Sequence, residues 1–171
     1  MNIDNKGFTL IELIITIALL SVISIISFVS ITGTINQSKI NDCESLEMNI
    51  KSAAKEYVSD NRYNIVVRND KEYFVIDSDK GEETEIIKNN ENGVQKKFIY
   101  IKAYNLKTKH YLSGDIIDPF NGSNKLKGDD ITIKIELDDD YSAMNFKIYK
   151  DVNNSDYNCN KDWFSNLKKA D

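Results

Sequence analysis

The amino-terminal part of the sequence is dominated by one apolar segment, Phe8–Ile31, which contains a single charged residue, Glu12. As a helix, this segment of roughly 24 residues is about 36 Å long, and about 20 residues suffice to cross a bilayer. A carboxylate inside hydrocarbon costs about 2.5–3.5 kcal/mol on insertion scales, so Glu12 needs a partner or a function. The segment offers no cation, because the nearest ones, Lys6 and Lys39, lie outside it.

Two ordinary explanations of such a segment are incomplete. A secretory signal peptide has an apolar core of about 7–15 residues before a small-residue cleavage site. Here the core is longer, and serines and β-branched residues follow it. A plain membrane anchor accounts for the length, but it gives Glu12 no role and leaves the Gly7-Phe8 step unexplained.

The residues that begin the segment have a characteristic order. The sequence KGFTLIE, from Lys6 to Glu12, followed by the long apolar run, resembles the class III signal peptide of type IV pilins and pilin-like pseudopilins. The resemblance implies that residues 1–7 are a leader, that a prepilin peptidase cleaves between Gly7 and Phe8, and that Phe8 is then N-methylated. It also implies that Glu12 is the assembly contact, which meets the Phe8 amine of a neighbouring subunit.

The same resemblance implies a function and a location. The expected function is a structural subunit, a major or minor pilin, of a type IV pilus used for adhesion, motility or biofilm formation. Its partners would be the prepilin peptidase, other pilin subunits and the assembly machinery. The precursor would cross the cytoplasmic membrane once, with a cytoplasmic amino terminus and an extracellular head, and the mature form would lie in the surface pilus. The alternatives are a pseudopilin of a type II secretion or competence system, and an anchored binding module that does not polymerise.

The chain after the apolar segment continues as a helix over 38–58. Apolar side chains recur there at three- and four-residue steps, which indicates one buried stripe. We therefore expect one helix over 8–58, with a membrane and assembly half, 8–31, and an amphipathic half within 32–60. The head with its carboxy-terminal tail is expected over 61–171. The predicted stripe consists of Ile40, Cys43, Leu46, Ile50, Ala53, Ala54 and Tyr57.

The head has the patterns of antiparallel strands, so the chain is predicted to be α+β, with the long helix packed on a small antiparallel sheet. The charged, glycine-bounded stretch 81–93 predicts a solvated loop, and 103–114 predicts a short helix ended by Gly114. The predicted strands are 63–67 and 72–76, which form a hairpin, then 97–102, 130–137 and 145–150. The expected inward residues of the last two strands are Ile131, Ile133, Ile135, Leu137, Phe146 and Ile148.

The net charge of −5 and the isoelectric point near 5.0 argue against nucleic-acid contact, because such surfaces are normally basic. The two cysteines, Cys43 and Cys159, lack the CxxC spacing of zinc sites. An exported domain permits disulfides, and the aromatic residues around Cys159 would dock the tail onto the helix. The sequence therefore favours a Cys43–Cys159 disulfide over its alternative, two separate buried thiols.

No catalytic motif is present, and the single histidine, His110, is expected on the surface, so the sequence predicts neither an enzyme nor a cofactor. No metal site is predicted. The strongest candidate for one is a calcium loop that contains Asp115, Asp118 and Asn121, and oxygen-bearing side chains also occur at Asn124, Asp129 and Asp130. The EF-hand spacing fails there, and turn chemistry accounts equally well for these residue types.

Overall fold

The computed structural model describes residues 9–91, 93–150, 156–165 and 167–170. The side chains of 26–30, 32 and 91 lie outside that description, as do Gly7 and Phe8. The chain divides into two compact units, with the boundary between Lys39 and Ile40.

The first element is a single long helix, α1, which spans Leu10–Asn61. The expected start at residue 8 is wrong within the described part, because Thr9 is not helical and acts as the amino-terminal cap. At the other end the helix runs past the predicted residue 58. The side-chain amide of Asn61 donates to the Tyr57 carbonyl at 2.8 Å.

The remaining elements confirm the α+β prediction. The elements after α1 are β1 (Ile65–Arg68), β2 (Lys71–Asp77), β3 (Glu82–Glu85), β4 (Ile87–Glu91), β5 (Val94–Lys102), α2 (Ala103–Thr108), β6 (Ile116–Ile117), β7 (Lys125–Leu126), β8 (Thr132–Leu137), β9 (Ala143–Tyr149) and α3 (Lys161–Phe164). Among the described residues, the strands form three antiparallel sheets: the first has the strand order β1-β2-β3, the second β4-β5-β8-β9, and the third pairs β6 with β7.

The predicted hairpin is present as β1 and β2, joined by Asn69 and Asp70. Both residues have positive φ, at 50° and 60°, as a two-residue hairpin turn of type I′ requires.

The prediction of a solvated loop over 81–93 is wrong, because β3 and β4 occupy most of this stretch. Its charges are compensated by lysine and arginine side chains of neighbouring strands. Glu83 accepts from Arg68 at 2.9 Å, and Glu85 lies 2.9 Å from Lys71. Ile86, between the two strands, is buried.

The prediction of a helix over 103–114 is too long. The helix α2 ends at Thr108, well before Gly114. His110 has a φ of 64°, which is the left-handed conformation. After a helix, this conformation is usually adopted by glycine. Its amide donates to the Lys107 carbonyl at 3.1 Å, and the next amide, that of Tyr111, donates to Leu106 at 2.9 Å. These two bonds form a Schellman motif, and the exposed histidine is part of a helix cap.

The core of the head lies between the inward stripe of α1 and the sheets. The predicted inward residues of β8 are buried, and so is Ile131, which directly precedes this strand. On β9, Ile148 is buried and Phe146 is half-buried. On α1 the stripe is buried except at its start, where Ile40 is exposed and Leu46 is half-buried. The buried members are Cys43, Ile50, Ala53, Ala54, Tyr57, Ile131, Ile133, Ile135 and Leu137.

Candidate functional site

The candidate assembly residue, Glu12, already has a partner at the start of its own helix, in the cap residue Thr9. Its Oε2 accepts from the Thr9 amide at 2.8 Å and from the Thr9 hydroxyl at 2.8 Å. The Glu12 amide donates back to the Thr9 hydroxyl at 3.3 Å. This reciprocal arrangement is a capping box, with threonine at the N-cap and glutamate three residues later. Sequence reasoning found no partner for Glu12, although the T-x-x-E spacing in TLIE signals one.

The residues predicted to be cleaved and methylated, Gly7 and Phe8, lie outside the described residues. Cleavage after Gly7, methylation of Phe8 and the contact between Glu12 and a neighbouring amine therefore stay predictions. The described geometry ends next to them, at the Thr9 cap.

The helix that follows this cap has an apolar surface on every side. Each Leu, Ile and Val side chain between Leu10 and Ile25 is between 51 and 77 % exposed. Fully burying one such side chain stabilises it by about 1.5–3 kcal/mol relative to leaving it exposed. The described residues of the first unit therefore leave a large apolar surface exposed.

The hydroxyl groups within this apolar surface are bonded to the helix itself. Thr16 donates to the Leu13 carbonyl at 2.8 Å, and Ser21 donates to Ile17 at 2.7 Å. Ser24 makes the same kind of bond to the carbonyl one turn before it, at 2.8 Å. Such bonds hide the hydroxyl proton from apolar surroundings. The small polar side chains can therefore lie against hydrocarbon without an unpaired donor.

Within the described part of the chain, no helix is long and apolar enough to cross a membrane. The predicted span, Phe8–Ile31, includes residues that the structure does not describe, and its membrane placement stays a prediction.

The carboxy-terminal tail is fixed to α1 by the two cysteines. Cys43 and Cys159 are joined by a disulfide, with their Cα atoms 5.7 Å apart. Beside the disulfide, the Tyr157 hydroxyl donates to the Cys43 carbonyl at 2.8 Å, and burial raises the pKa of this tyrosine. Trp163 and Phe164 are buried beside Tyr157, with ring centroids 4.6 and 5.9 Å from it. The tail is therefore part of the core of the head.

The candidate calcium residue Asp115 forms ion pairs with two lysines. Its carboxylate lies 2.8 Å from the Lys107 ammonium and 2.6 Å from the Lys125 ammonium. Hydrogen bonds from these two ammonium groups lower the pKa of Asp115 to about 2. Two cations at this carboxylate oppose the approach of a third.

The other two candidate calcium residues form a turn. Asp118 is buried, and its carboxylate accepts from the Phe120 amide at 2.8 Å. Its backbone accepts from Asn121 at 3.1 Å, and its amide donates to Asn124 at 3.0 Å. The bond to the carboxylate forms an Asx turn, and the bond from the Asn121 amide closes a β-turn over the same residues. Among the described residues, no group of three or more histidine, cysteine, aspartate or glutamate side chains is placed to hold a metal ion.

Comparison with known proteins gives one match, at the amino terminus. Residues 3–28 match the prokaryotic N-terminal methylation motif, which is the class III signal peptide motif of type IV pilins. No curated protein and no solved structure matches the chain significantly. The motif supports a type IV pilin-like or pseudopilin protein, a structural and non-enzymatic kind. It implies processing by a prepilin peptidase and assembly with pilin machinery.

Proposed function

We propose that this chain is a structural subunit, a major or minor pilin, of a type IV pilus. Residues 1–7 are removed by the prepilin peptidase, and Phe8 becomes the methylated amino terminus. The apolar segment 8–31 holds the precursor in the cytoplasmic membrane, with the head outside. After extraction, the subunits polymerise through this segment into a cell-surface filament for adhesion, motility or biofilm formation.

The observation that carries this proposal is the all-round exposure of the apolar helix from Leu10 to Ile25. A helix that is apolar on every side belongs inside a membrane or inside a protein core. A pilus supplies both environments in turn, because lipid surrounds the stored subunit and neighbouring helices surround the assembled one. A plain anchor uses only the first environment.

The position of Glu12 supports the same proposal. Cleavage would create an α-amine at Phe8, and such amines titrate near pH 7.7–8.0, so it would be mostly protonated. Glu12 is bonded to Thr9, next to that new terminus. In the stored subunit Thr9 lowers the cost of the carboxylate, and in the filament the amine of a neighbour supplies a full counter-charge.

The test replaces Glu12 with glutamine. Glutamine also serves in a capping box, so Glu12→Gln keeps the helix start and removes only the charge. We expect cleavage and membrane insertion to continue, while sheared surface filaments fall at least about tenfold, since a neighbour's buried ammonium loses its counter-charge. Filaments and the membrane pool of processed subunit are both measured by immunoblot. The matched control is Glu44→Gln, at an exposed position of the same helix.

The outcomes separate the three functions. Normal filament yield from Glu12→Gln would contradict the proposed assembly contact. An unprocessed amino terminus in the mass spectrum of the native chain would contradict the pilin function and leave the anchored binding module. Processing without long surface filaments, together with a secretion or DNA-uptake defect in a deletion strain, would assign the chain to the pseudopilins.

A further inference from the structure

The first sheet of the head ends at β1, which is an edge strand. Among the described residues, β1 pairs only with β2, in a regular antiparallel register. A strand at the edge of a sheet presents backbone N–H and C=O groups with which a further strand can pair. Whether this edge is free depends on which residues turn their backbone outwards and on what covers them.

Alternate residues of β1 turn their backbone groups away from the sheet. The Val75 amide of β2 donates to the Asn64 carbonyl at 2.9 Å, next to the start of β1. Antiparallel ladders bond every second residue, so Val66 also bonds to β2, whereas Ile65 and Val67 do not. No hydrogen bond joins the backbone of Ile65 or Val67 to another described residue. The outer edge of β1 therefore presents the N–H and C=O groups of both residues.

Other outer strands of the head are protected, and β1 is not. On β9, the Tyr157 amide of the tail donates to the Ile148 carbonyl at 2.7 Å, so the tail covers part of that edge. On β3, every residue except one threonine is a glutamate, and charged side chains discourage the pairing of edges. The one charged residue of β1 is Arg68, at its end, and Val67 beside it is 68 % exposed.

The sequence of β1 fits a second copy of itself. Two such strands that run antiparallel about Val66 place Ile65 of each copy opposite Val67 of the other. These are the residues with free backbone groups, so each N–H can donate to a C=O of the other strand. Ile65 lies opposite the buried Phe74 of β2, and Ile65 and Val67 share that face of the sheet. The isoleucine of each copy therefore covers the exposed valine of the other.

We propose that β1 is a docking site for β1 of a second copy of this chain, so that two heads share one continuous antiparallel sheet. In this register Arg68 of each copy lies opposite Asn64 of the other, and no like charges are opposed. The contact is weak by itself, because short strands bury far less surface than a stable dimer interface does. It involves only the head, so it holds whether or not the chain is a pilin.

A disulfide placed on the two-fold axis tests the register. In the proposed pair the two copies of Val66 face each other, with Cα atoms about 4.5 Å apart, which lies within the range of a disulfide. The two copies of Val67 are offset by about 7 Å along the strands as well as lying on different strands, which is too far. The full chain is purified in detergent as Val66→Cys or Val67→Cys and is oxidised mildly. Non-reducing gels follow the dimers, and peptide mass spectrometry checks the link and the native Cys43–Cys159 disulfide.

We expect Val66→Cys to form linked dimers at least about tenfold faster than Val67→Cys, because only the first pair has disulfide geometry. Random collision predicts the reverse order, since Val67 is exposed and Val66 is half-buried. Linking of Val67→Cys that is as fast as that of Val66→Cys, or faster, would overturn the proposal.

A proline then tests the outward hydrogen bonds. Val67→Pro removes an N–H that the ladder to β2 does not use, and proline is tolerated at such positions of edge strands. Added to Val66→Cys, it should slow linking at least about fivefold, because the N–H of each copy is lost from the pairing. The matched control is Val67→Thr, which keeps the N–H and the β-branched shape and should leave the rate within about twofold.

Urea unfolding of each double variant confirms that its head is folded. Equal linking rates for folded Val67→Pro and Val67→Thr would overturn the proposal. If the proline variant does not fold, the comparison of Val66→Cys with Val67→Cys decides without it.

Discussion

The two compact units of this chain differ in the exposure of their apolar side chains. In the first unit, the Leu, Ile and Val side chains from Leu10 to Ile25 are at least half exposed. In the second unit, side chains of the same types on β8 and on the stripe of α1 are almost completely buried. Both patterns include parts of the same helix. The difference teaches that the head obtains its core from its own residues, whereas the described apolar side chains of the first unit remain exposed.

The largest expected effect on this contrast comes from the disulfide. Reduction of Cys43–Cys159 should lower the free energy of unfolding of the head by up to about 4.7 kcal/mol in the loop-entropy model. The first unit, which contains no cysteine, should keep its helix. Urea unfolding followed by circular dichroism, with and without reduction and alkylation, measures the change. An unchanged midpoint would show that the bond adds nothing to the packing of the tail.

The second effect compares one isoleucine from each unit. Ile135→Ala should destabilise the head by about 2–5 kcal/mol, because this side chain is completely buried. Ile17 is 55 % exposed, so Ile17→Ala should change the same unfolding free energy by less than about 0.5 kcal/mol. Both are measured in detergent, where subunits are separate. Equal losses would break the contrast between the units.

The third effect is local to the start of α1. Thr9→Val removes the hydroxyl of the capping box and should weaken the first turn by about 1 kcal/mol. Hydrogen exchange of the amides from Leu10 to Leu13 should become several times faster, while head amides keep their rates. The control is Thr16→Val, since that hydroxyl bonds only to its own helix. Unchanged exchange in Thr9→Val would mean that the cap does not hold the helix end.

The smallest effect depends on pH. The pKa of Asp115 is lowered from its ordinary value near 3.8 to about 2 by Lys107 and Lys125. The folded state therefore binds this proton less readily than the unfolded state, so the contribution is complete above about pH 4 and is lost as the pH falls towards 2. Asp115→Asn should flatten the acid dependence of the urea midpoint in that window. Asp79→Asn should leave it unchanged, and an equal flattening there would contradict the assignment.

The alternating sequence pattern correctly predicted those strands of the head whose structure depends mainly on the burial of apolar side chains. The isoleucines from Ile131 to Ile135 alternate, and the strand follows. The pattern failed at β3, because its glutamates are compensated by Arg68 and Lys71, which belong to strands that only the fold brings near. It also failed at His110, because glycine is the usual signal for a left-handed helix cap and histidine is not.

The candidate site was also predicted only in part, because sequence patterns indicate local features and not contacts between distant parts of the chain. The methylation motif is local, so its residues can be found from spacing alone. The Thr9–Glu12 capping box is local too, and the T-x-x-E spacing signals it, but the sequence analysis missed it because it looked for a cation as the partner of Glu12. The ion pairs of Asp115 are different, since Lys107 and Lys125 meet this carboxylate only in the folded head, and no short pattern indicates such a contact.

The disulfide between α1 and the tail also has a mechanical consequence. A chain pulled by its amino-terminal helix and gripped at its tail would carry tension through one covalent bond, without loading the strands between them. The sequence separation of 116 between Cys43 and Cys159 corresponds to about 400 Å of extended chain. That length cannot be drawn out while the bond is intact, so the head would resist stretching to the strength of a covalent link.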